Sequence, residues 1–407
     1  MVRLLAAAVA SLLAGIVGLP AAMADAHADP LPGDCKLTPG GSITKTPWPQ
    51  TRLSYQSFHA ASSVTQGKSV KTGAAVVVAV ADSGLNRQHP QLAGMNVGTG
   101  IDAVPKQQGH SVTDCNGHGS AVTSIIAAQP DPAVAFVGIA PDVKIVPIRV
   151  TNDANVTSDA LIRAIDDAVA VKASVLNLSL AGTTPSPGLL SAVKRAAAHN
   201  LVIVAAGGND GQSSDLPAYP AAYSTQAPNV IAVAATNAAD GVPDFSTTGN
   251  YITVAAPGAD VVTAAPFRGY VAKQSGTSYA APYVTGTVAL IRAAHPDLSP
   301  EEVRNRIIAT ADPPPATVPD ARYGYGVIDP YLAITSVRDD TGVAANPARP
   351  APVPAPAAVA SPDRQLAHRA LAVGAALLGL TVLAVAGALV LRGSTRGVRS
   401  PEARSQA

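Results

Sequence analysis

Three polar residues, Asp82, His118 and Ser278, lie beside buried-strand or glycine-rich sequence. A carboxylate can orient an imidazole, the imidazole can take the proton of a hydroxyl, and that hydroxyl can then attack a carbonyl. Singly, each residue has a simpler interpretation, as a turn former, a structural histidine and a helix N-cap respectively. Their surroundings together favour the chemical interpretation.

Asp82 directly follows a valine-rich run, so its carboxylate is predicted to emerge at the carboxyl edge of a parallel sheet. His118 stands between two glycines, and Ser278 begins a predicted helix whose N-H groups and dipole stabilise negative charge. Asn209, in the sequence AAGGND, can donate its amide to the same oxyanion, although such an asparagine can also be a simple turn former. The order Asp, His, Ser is one of three unrelated chain orders that give the same triad geometry.

The elements that must position these residues alternate along the chain. Val-rich runs typical of strands buried on both faces recur, and helix-like stretches lie between several of them. This alternation predicts an α/β fold with a mostly parallel central sheet. The predicted strands are 74–81, 144–150, 174–180, 201–206 and 230–235. The predicted helices are 121–128, 158–171, 189–199, 278–294 and 299–309. Pro282 lies near the first turn of the helix 278–294, and a capping box at Ser299 opens the last helix.

Both ends are predicted to lie outside the folded domain. Residues 1–24 resemble a signal peptide, with cleavage as late as residue 28, and the alternative is an uncleaved membrane helix. Near the other end, residues 370–391 carry no charge and are long enough to span a bilayer. The predicted order is a signal peptide (1–24), an N-terminal extension (25–50), a catalytic domain (51–342), a Pro-rich linker (343–365), a transmembrane region (366–391) and a basic cytoplasmic tail (392–407).

Composition restricts the partners and the redox environment. The 407 residues have a net charge of +1 and 14% charged residues, which gives no indication of a nucleic-acid partner. Cys35 and Cys115 both lie in the part predicted to be exported, where disulfides persist. We therefore predict that they bond to each other; the alternative is two unpaired thiols.

Over residues 51–331 the sequence resembles the subtilisin-like serine proteases. The resemblance is carried by Asp82, His118, Ser278 and Asn209, and by the segments 177–179 and 256–258. More narrowly, the chain resembles the mycosins, which are membrane-anchored proteases of actinobacterial type VII secretion systems. The segments 114–119, 136–141 and 147–149 support this, together with the signal, the Pro-rich stalk and the C-terminal anchor.

The resemblance implies a subtilisin-like three-layer fold and a polypeptide substrate cleaved through an acyl-enzyme. It implies a membrane-anchored enzyme with an extracytoplasmic catalytic domain that acts with a type VII secretion complex. No cofactor is required; many subtilisins bind structural calcium, but no acidic loop here is dense enough to name ligands. The segment before the domain is expected to wrap around it, held by Cys35. The implied substrate-binding residues are Leu178, Ser179, Leu180, Ala206, Gly207 and Gly208.

Several positions depart from the family pattern without removing a catalytic group. Ser120 and Ala121 stand where many subtilisins have Thr and His, and Tyr279 and Tyr283 replace a common Met and His. The chain also lacks a further cysteine pair that mycosins often carry. Two other functions stay open beside processing by this protease, namely a structural stabiliser of the secretion complex and a general surface subtilase.

Overall fold

A sheet of eight parallel strands forms the centre of the protein. The structure is a computed structural model, and it describes residues 35, 37–60, 65–104, 112–151 and 156–341. The sheet order is β2-β4-β1-β5-β6-β7-β8, β3 also pairs with β4, and β9 and β10 form a separate antiparallel pair. The strands are β1 (Val77–Asp82), β2 (Asn96–Val97), β3 (Ile101–Asp102), β4 (Lys144–Arg149), β5 (Val175–Leu178), β6 (Val202–Ala206), β7 (Val230–Thr236), β8 (Val254–Pro257), β9 (Val261–Ala264) and β10 (Tyr270–Gln274).

The helices of the described residues cover both faces of this sheet. They are α1 (Trp48–Arg52), α2 (Tyr55–Ala60), α3 (Pro90–Ala93), α4 (His118–Ala127), α5 (Ser158–Ala170), α6 (Pro187–Ala198), α7 (Thr277–Ala294), α8 (Pro300–Thr310) and α9 (Pro330–Thr335), with a 3-10 helix at Ala221–Thr225. One apolar core lies between the sheet and α4 and α7, and a second lies between the sheet and α5 and α6. The predicted three-layer α/β fold is confirmed.

All five predicted strands and five predicted helices are present, with ends that differ by a few residues. Every residue of β6 and β7 is buried, which explains why their sequences are continuous apolar runs rather than alternating ones. The capping box of α8 is also present, because Ser299 accepts from the N-H of Glu302 and Glu302 accepts from the N-H of Ser299. The short strands β2 and β3 and the strands after β7 were not predicted.

One prediction about α7 is wrong. The helix begins at Thr277, so Pro282 lies inside it rather than in the first turn, where a missing N-H costs nothing. The carbonyl of Ser278 therefore lacks its usual donor four residues on.

The segment before the domain is joined to it at several points. Cys35 and Cys115 form the predicted disulfide. Gly41 pairs through its backbone with Tyr270. Just inside the predicted start of the domain, Arg52 forms ion pairs with aspartates of two later loops. The predicted signal peptide, linker, membrane span (366–391) and tail lie outside the described residues. Within 37–341, apart from the undescribed gaps, no helix is both long and apolar enough to cross a bilayer.

A buried arginine closes the carboxyl end of the described chain. Arg306, on α8, pairs with Asp340, and both side chains are only 2% exposed. Arg306 also donates to the carbonyl of Ala333, on α9. Because α8 and α9 pack against α7, this cluster stabilises the helix that carries Ser278.

We predict that Arg306→Met lowers the free energy of unfolding by about 3–5 kcal/mol, because the charge of Asp340 stays buried with fewer partners. Arg195→Met is the matched control, since its ion pair with Asp166 is about half exposed and is expected to contribute less than about 1 kcal/mol. Urea unfolding of the full-length chain measures both. Similar losses in the two variants would contradict the buried role of Arg306.

Candidate active site

The carboxyl end of β1 lies at the point where the strand order reverses, because β4 pairs on one side of β1 and β5 on the other. Open parallel sheets place their binding sites at such a point. Asp82 is the last residue of β1, and its side chain is only 1% exposed. A buried carboxylate at this edge requires a partner that can hold its charge.

That partner is His118, the first residue of α4. Its Nδ1 lies 2.8 Å from Oδ1 of Asp82, and its side chain remains 22% exposed. The contact depends on Gly119, since a Cβ there would lie 2.2 Å from the carbonyl oxygen of Gly84. Without a side chain at this position, the start of the helix reaches the end of the strand.

Asp114 fixes the same junction and was not recognised as a site residue from the sequence. It is fully buried, and it accepts hydrogen bonds from the hydroxyl of Ser83 and from the N-H groups of Gly117 and Ser120. The hydroxyl of Ser83 accepts in turn from the N-H of Gly119. The sequence signal that could have indicated this role is the position of Asp114, in a glycine-containing turn just before a helix.

The charge environment of His118 favours its protonated form. Burial alone lowers the pKa of His118, but the charge of Asp82, the hydrogen bond that His118 donates to Asp82 and the charge of Asp114 together outweigh it. The pKa of His118 is therefore raised above its ordinary value. The neutral ring, bound through Nδ1, leaves Nε2 as its proton acceptor.

Ser278 and Asn209 face a common point beside the first turn of α7. A Cβ on Gly276, whose φ is +154°, would lie 3.0 Å from Oγ of Ser278 and 3.5 Å from Nδ2 of Asn209. Oδ1 of Asn209 accepts from both the N-H and the hydroxyl of Thr277, at 2.8 and 2.9 Å. These two bonds fix the amide orientation, so Nδ2 is available as a donor.

All four predicted catalytic residues line one cavity of about 450 Å³. Two of the predicted substrate-binding residues, Leu178 and Gly207, do not line it. Leu178 is fully buried in the core beside α5 and α6, and a Cβ on Gly207 would meet the backbone of Val233. The predicted residues that do line the cavity are Asp82, His118, Ser278, Asn209, Ser179, Leu180, Ala206 and Gly208.

A second cavity, of about 320 Å³, is also lined by His118 and partly by Leu37 and Thr38 of the N-terminal extension. Tyr279 also lines it, with its ring centre 5.4 Å from that of His118 and its hydroxyl donating to Gln274. Burial and then the charge of Asp82 raise the pKa of Tyr279 to about 12, so the hydroxyl is neutral. In the described part of the chain, no cluster of three His, Cys, Asp or Glu side chains could hold a metal ion.

Comparison with known proteins shows that the chain is similar to subtilisin-like proteases in sequence and in structure. The model of the subtilase family matches residues 73–326. Mycosin-1 of Mycolicibacterium smegmatis is 31% identical over 402 residues, which cover 86% of each chain. Subtilisin DY of Bacillus licheniformis is 37% identical over 242 residues, 59% of this chain and 84% of that protein. The crystal structure of MycP1 from the ESX-1 type VII secretion system has a TM-score of 0.65 at 29% identity and covers 76% of this chain and 92% of that one.

We predict that Asp114→Asn lowers the pKa of His118, because the substitution removes one of the negative charges that raise it. The measurement is an NMR titration of the imidazole in the full-length chain. Asp142→Asn is the control, since Asp142 is paired with Lys68 near the surface. An unchanged pKa of His118 in a folded Asp114→Asn variant would contradict the prediction.

Proposed function

Because the chain belongs to the subtilase family, as a subtilisin-like serine endopeptidase of the mycosin type, we propose that Asp82, His118 and Ser278 are its catalytic triad. The observation that carries the proposal is the 2.8 Å hydrogen bond between His118 and Asp82, in a cavity that Ser278 also lines. The substrate is a polypeptide, and the reaction is hydrolysis of a peptide bond.

In the proposed mechanism, Nε2 of His118 takes the hydroxyl proton of Ser278 as Oγ attacks the peptide carbonyl. Asp82 holds the ring through Nδ1 and stabilises the imidazolium that forms. The imidazolium then gives its proton to the leaving amine, which produces an acyl-enzyme on Ser278. Water, deprotonated by His118, hydrolyses the ester and restores the serine. No cofactor takes part.

The proposed oxyanion donors are Nδ2 of Asn209 and the N-H of Ser278. The two hydrogen bonds from Thr277 to Oδ1 of Asn209 support this role, because they orient the amide before substrate binds. The dipole of α7 adds a favourable field at the same place, since Ser278 lies in the first turn of an 18-residue helix.

We further propose that the enzyme processes exported proteins beside a type VII secretion complex. Support comes from the similarity to Mycosin-1 and to the MycP1 of the ESX-1 type VII secretion system. The predicted signal peptide (1–24) would direct export of the chain before it is cleaved. The predicted membrane span (366–391) would anchor the chain in the cell membrane, with the catalytic domain outside and the tail in the cytoplasm.

We predict that Asn209→Ala lowers kcat roughly a hundred- to a thousandfold, the loss that subtilisin itself shows when it loses such a donor. Ser278→Ala is expected to lose turnover almost completely. Asn237→Ala serves as the control, because Asn237 orders a turn through Ala239 and Gly241 and does not line the catalytic cavity. Peptide hydrolysis by the full-length chain measures all three, and normal turnover in Asn209→Ala would contradict the assignment.

We predict that Ser278→Ala changes the processing of secreted proteins in cells that carry the secretion system. If secretion itself continues in Ser278→Ala but fails when the gene is deleted, the larger role of the protein is structural. If both changes stop secretion, proteolysis is required for transport. Unchanged processing in Ser278→Ala would contradict the proposed role of this serine.

A further inference from the structure

The backbone carbonyl of Ser278 lacks the hydrogen bond that an α-helix normally provides. In an α-helix, each carbonyl accepts from the N-H four residues later. For Ser278 that residue is Pro282, which has no N-H. The carbonyl lies in the first turn of a buried helix, where an unpaired oxygen is costly.

A side chain from the sheet supplies the missing donor. Ser179, directly after β5, donates its hydroxyl to the carbonyl oxygen of Ser278 at 2.7 Å. The same hydroxyl oxygen accepts from Nδ2 of Asn177 at 2.9 Å, and Oδ1 of Asn177 accepts from the hydroxyl of Thr285 at 2.7 Å. The direction of every bond is therefore fixed, and Ser179, Asn177 and Thr285 are at most 5% exposed.

This chain of hydrogen bonds contacts α7 at two places on one face. Thr285 follows Ser278 by seven residues, which is close to two helical turns. A helix held at both points by the end of β5 can neither rotate nor slide without breaking a buried bond. The position of Oγ of Ser278 relative to Asn209 and His118 depends on that restraint.

We propose that Ser179 is a positioning residue for Ser278, whose hydroxyl replaces the donor that Pro282 lacks. This inference rests on the proposed function of Ser278 as the nucleophile. Asn177 and Thr285 complete the restraint, because they orient the hydroxyl of Ser179 toward the helix. The reaction is sensitive to such a restraint, since a displacement of about 1 Å can cost a hundredfold in rate.

Ser179 also lines the catalytic cavity, so a direct contact with substrate is the competing explanation for any effect of its substitution. Thr285 separates the two explanations, because it is fully buried and is not among the residues that line the cavity. Loss of positioning lowers kcat, whereas loss of a uniform substrate contact raises KM. Thr285→Val removes the hydroxyl at nearly constant shape and is expected to lower kcat several-fold without raising KM.

The decisive experiment restores the missing donor. Pro282→Ala returns an N-H to the helix, and that N-H can bond to the carbonyl of Ser278 when Ser179 no longer does. We expect Ser179→Ala alone to slow labelling of the full-length chain by diisopropyl fluorophosphate roughly ten- to a hundredfold. In the Pro282→Ala background, the same substitution should slow labelling less than about threefold. If Ser179→Ala slows labelling by the same factor with Pro282 and with Ala at position 282, the proposal is overturned.

Ser224→Ala is the matched control, because Ser224 is also buried and donates to a backbone carbonyl, that of Tyr251, away from α7. Its labelling rate should stay at the wild-type value. If Ser179→Ala does not fold, Thr285→Val decides, and an unchanged kcat in that variant overturns the proposal. Failure of the wild type to label would overturn the proposed nucleophile as well. If the wild type is labelled but Ser179→Ala slows labelling equally in the two backgrounds, only the positioning role is overturned.

Discussion

The contact between Asp82 and His118 requires a helix to begin directly over the end of a buried strand. Such a junction brings a carboxylate and polar backbone groups out of water, so each of them needs a partner. Asp114 accepts from the turn before α4, and Gly119 leaves the space for the backbones to meet. The imidazole is consequently held at a fixed place before any substrate arrives, and the rest of the site is arranged around it.

The second half of the site is built on the start of α7, where two loops of the sheet meet the helix. Thr277 orients Asn209, and Ser179 holds the carbonyl of Ser278. Pro282 makes this arrangement necessary as well as useful, because it removes one intrahelical bond at the residue proposed to react. Two polar clusters, one at each helix start, thus connect the chemistry to a rigid parallel sheet.

The site was predictable from sequence where short motifs carry the signal. Asp82, His118 and Ser278 each follow a recognisable strand, turn or helix start, and the apolar runs predicted the core strands because both sheet faces are covered. Only the structure shows which residues distant along the chain are hydrogen-bond partners and in which direction individual side chains point. The short strands β2 and β3 carry too few residues for a periodic signal. Leu178, Gly207 and Pro282 lie elsewhere than the sequence predicted, and the roles of Asp114 and Thr277 were not predicted.

The measurement that bears most directly on the site is the mapping of a fluorophosphonate adduct by mass spectrometry on the full-length chain. We expect one adduct, on the peptide that contains Ser278, with fluoride released as the oxygen-phosphorus bond forms. The adduct should be absent in Ser278→Ala and form far more slowly in Asp82→Asn, which leaves His118 without its carboxylate. No adduct on the wild type, or an adduct that persists in Ser278→Ala, would contradict a triad at this edge of the sheet.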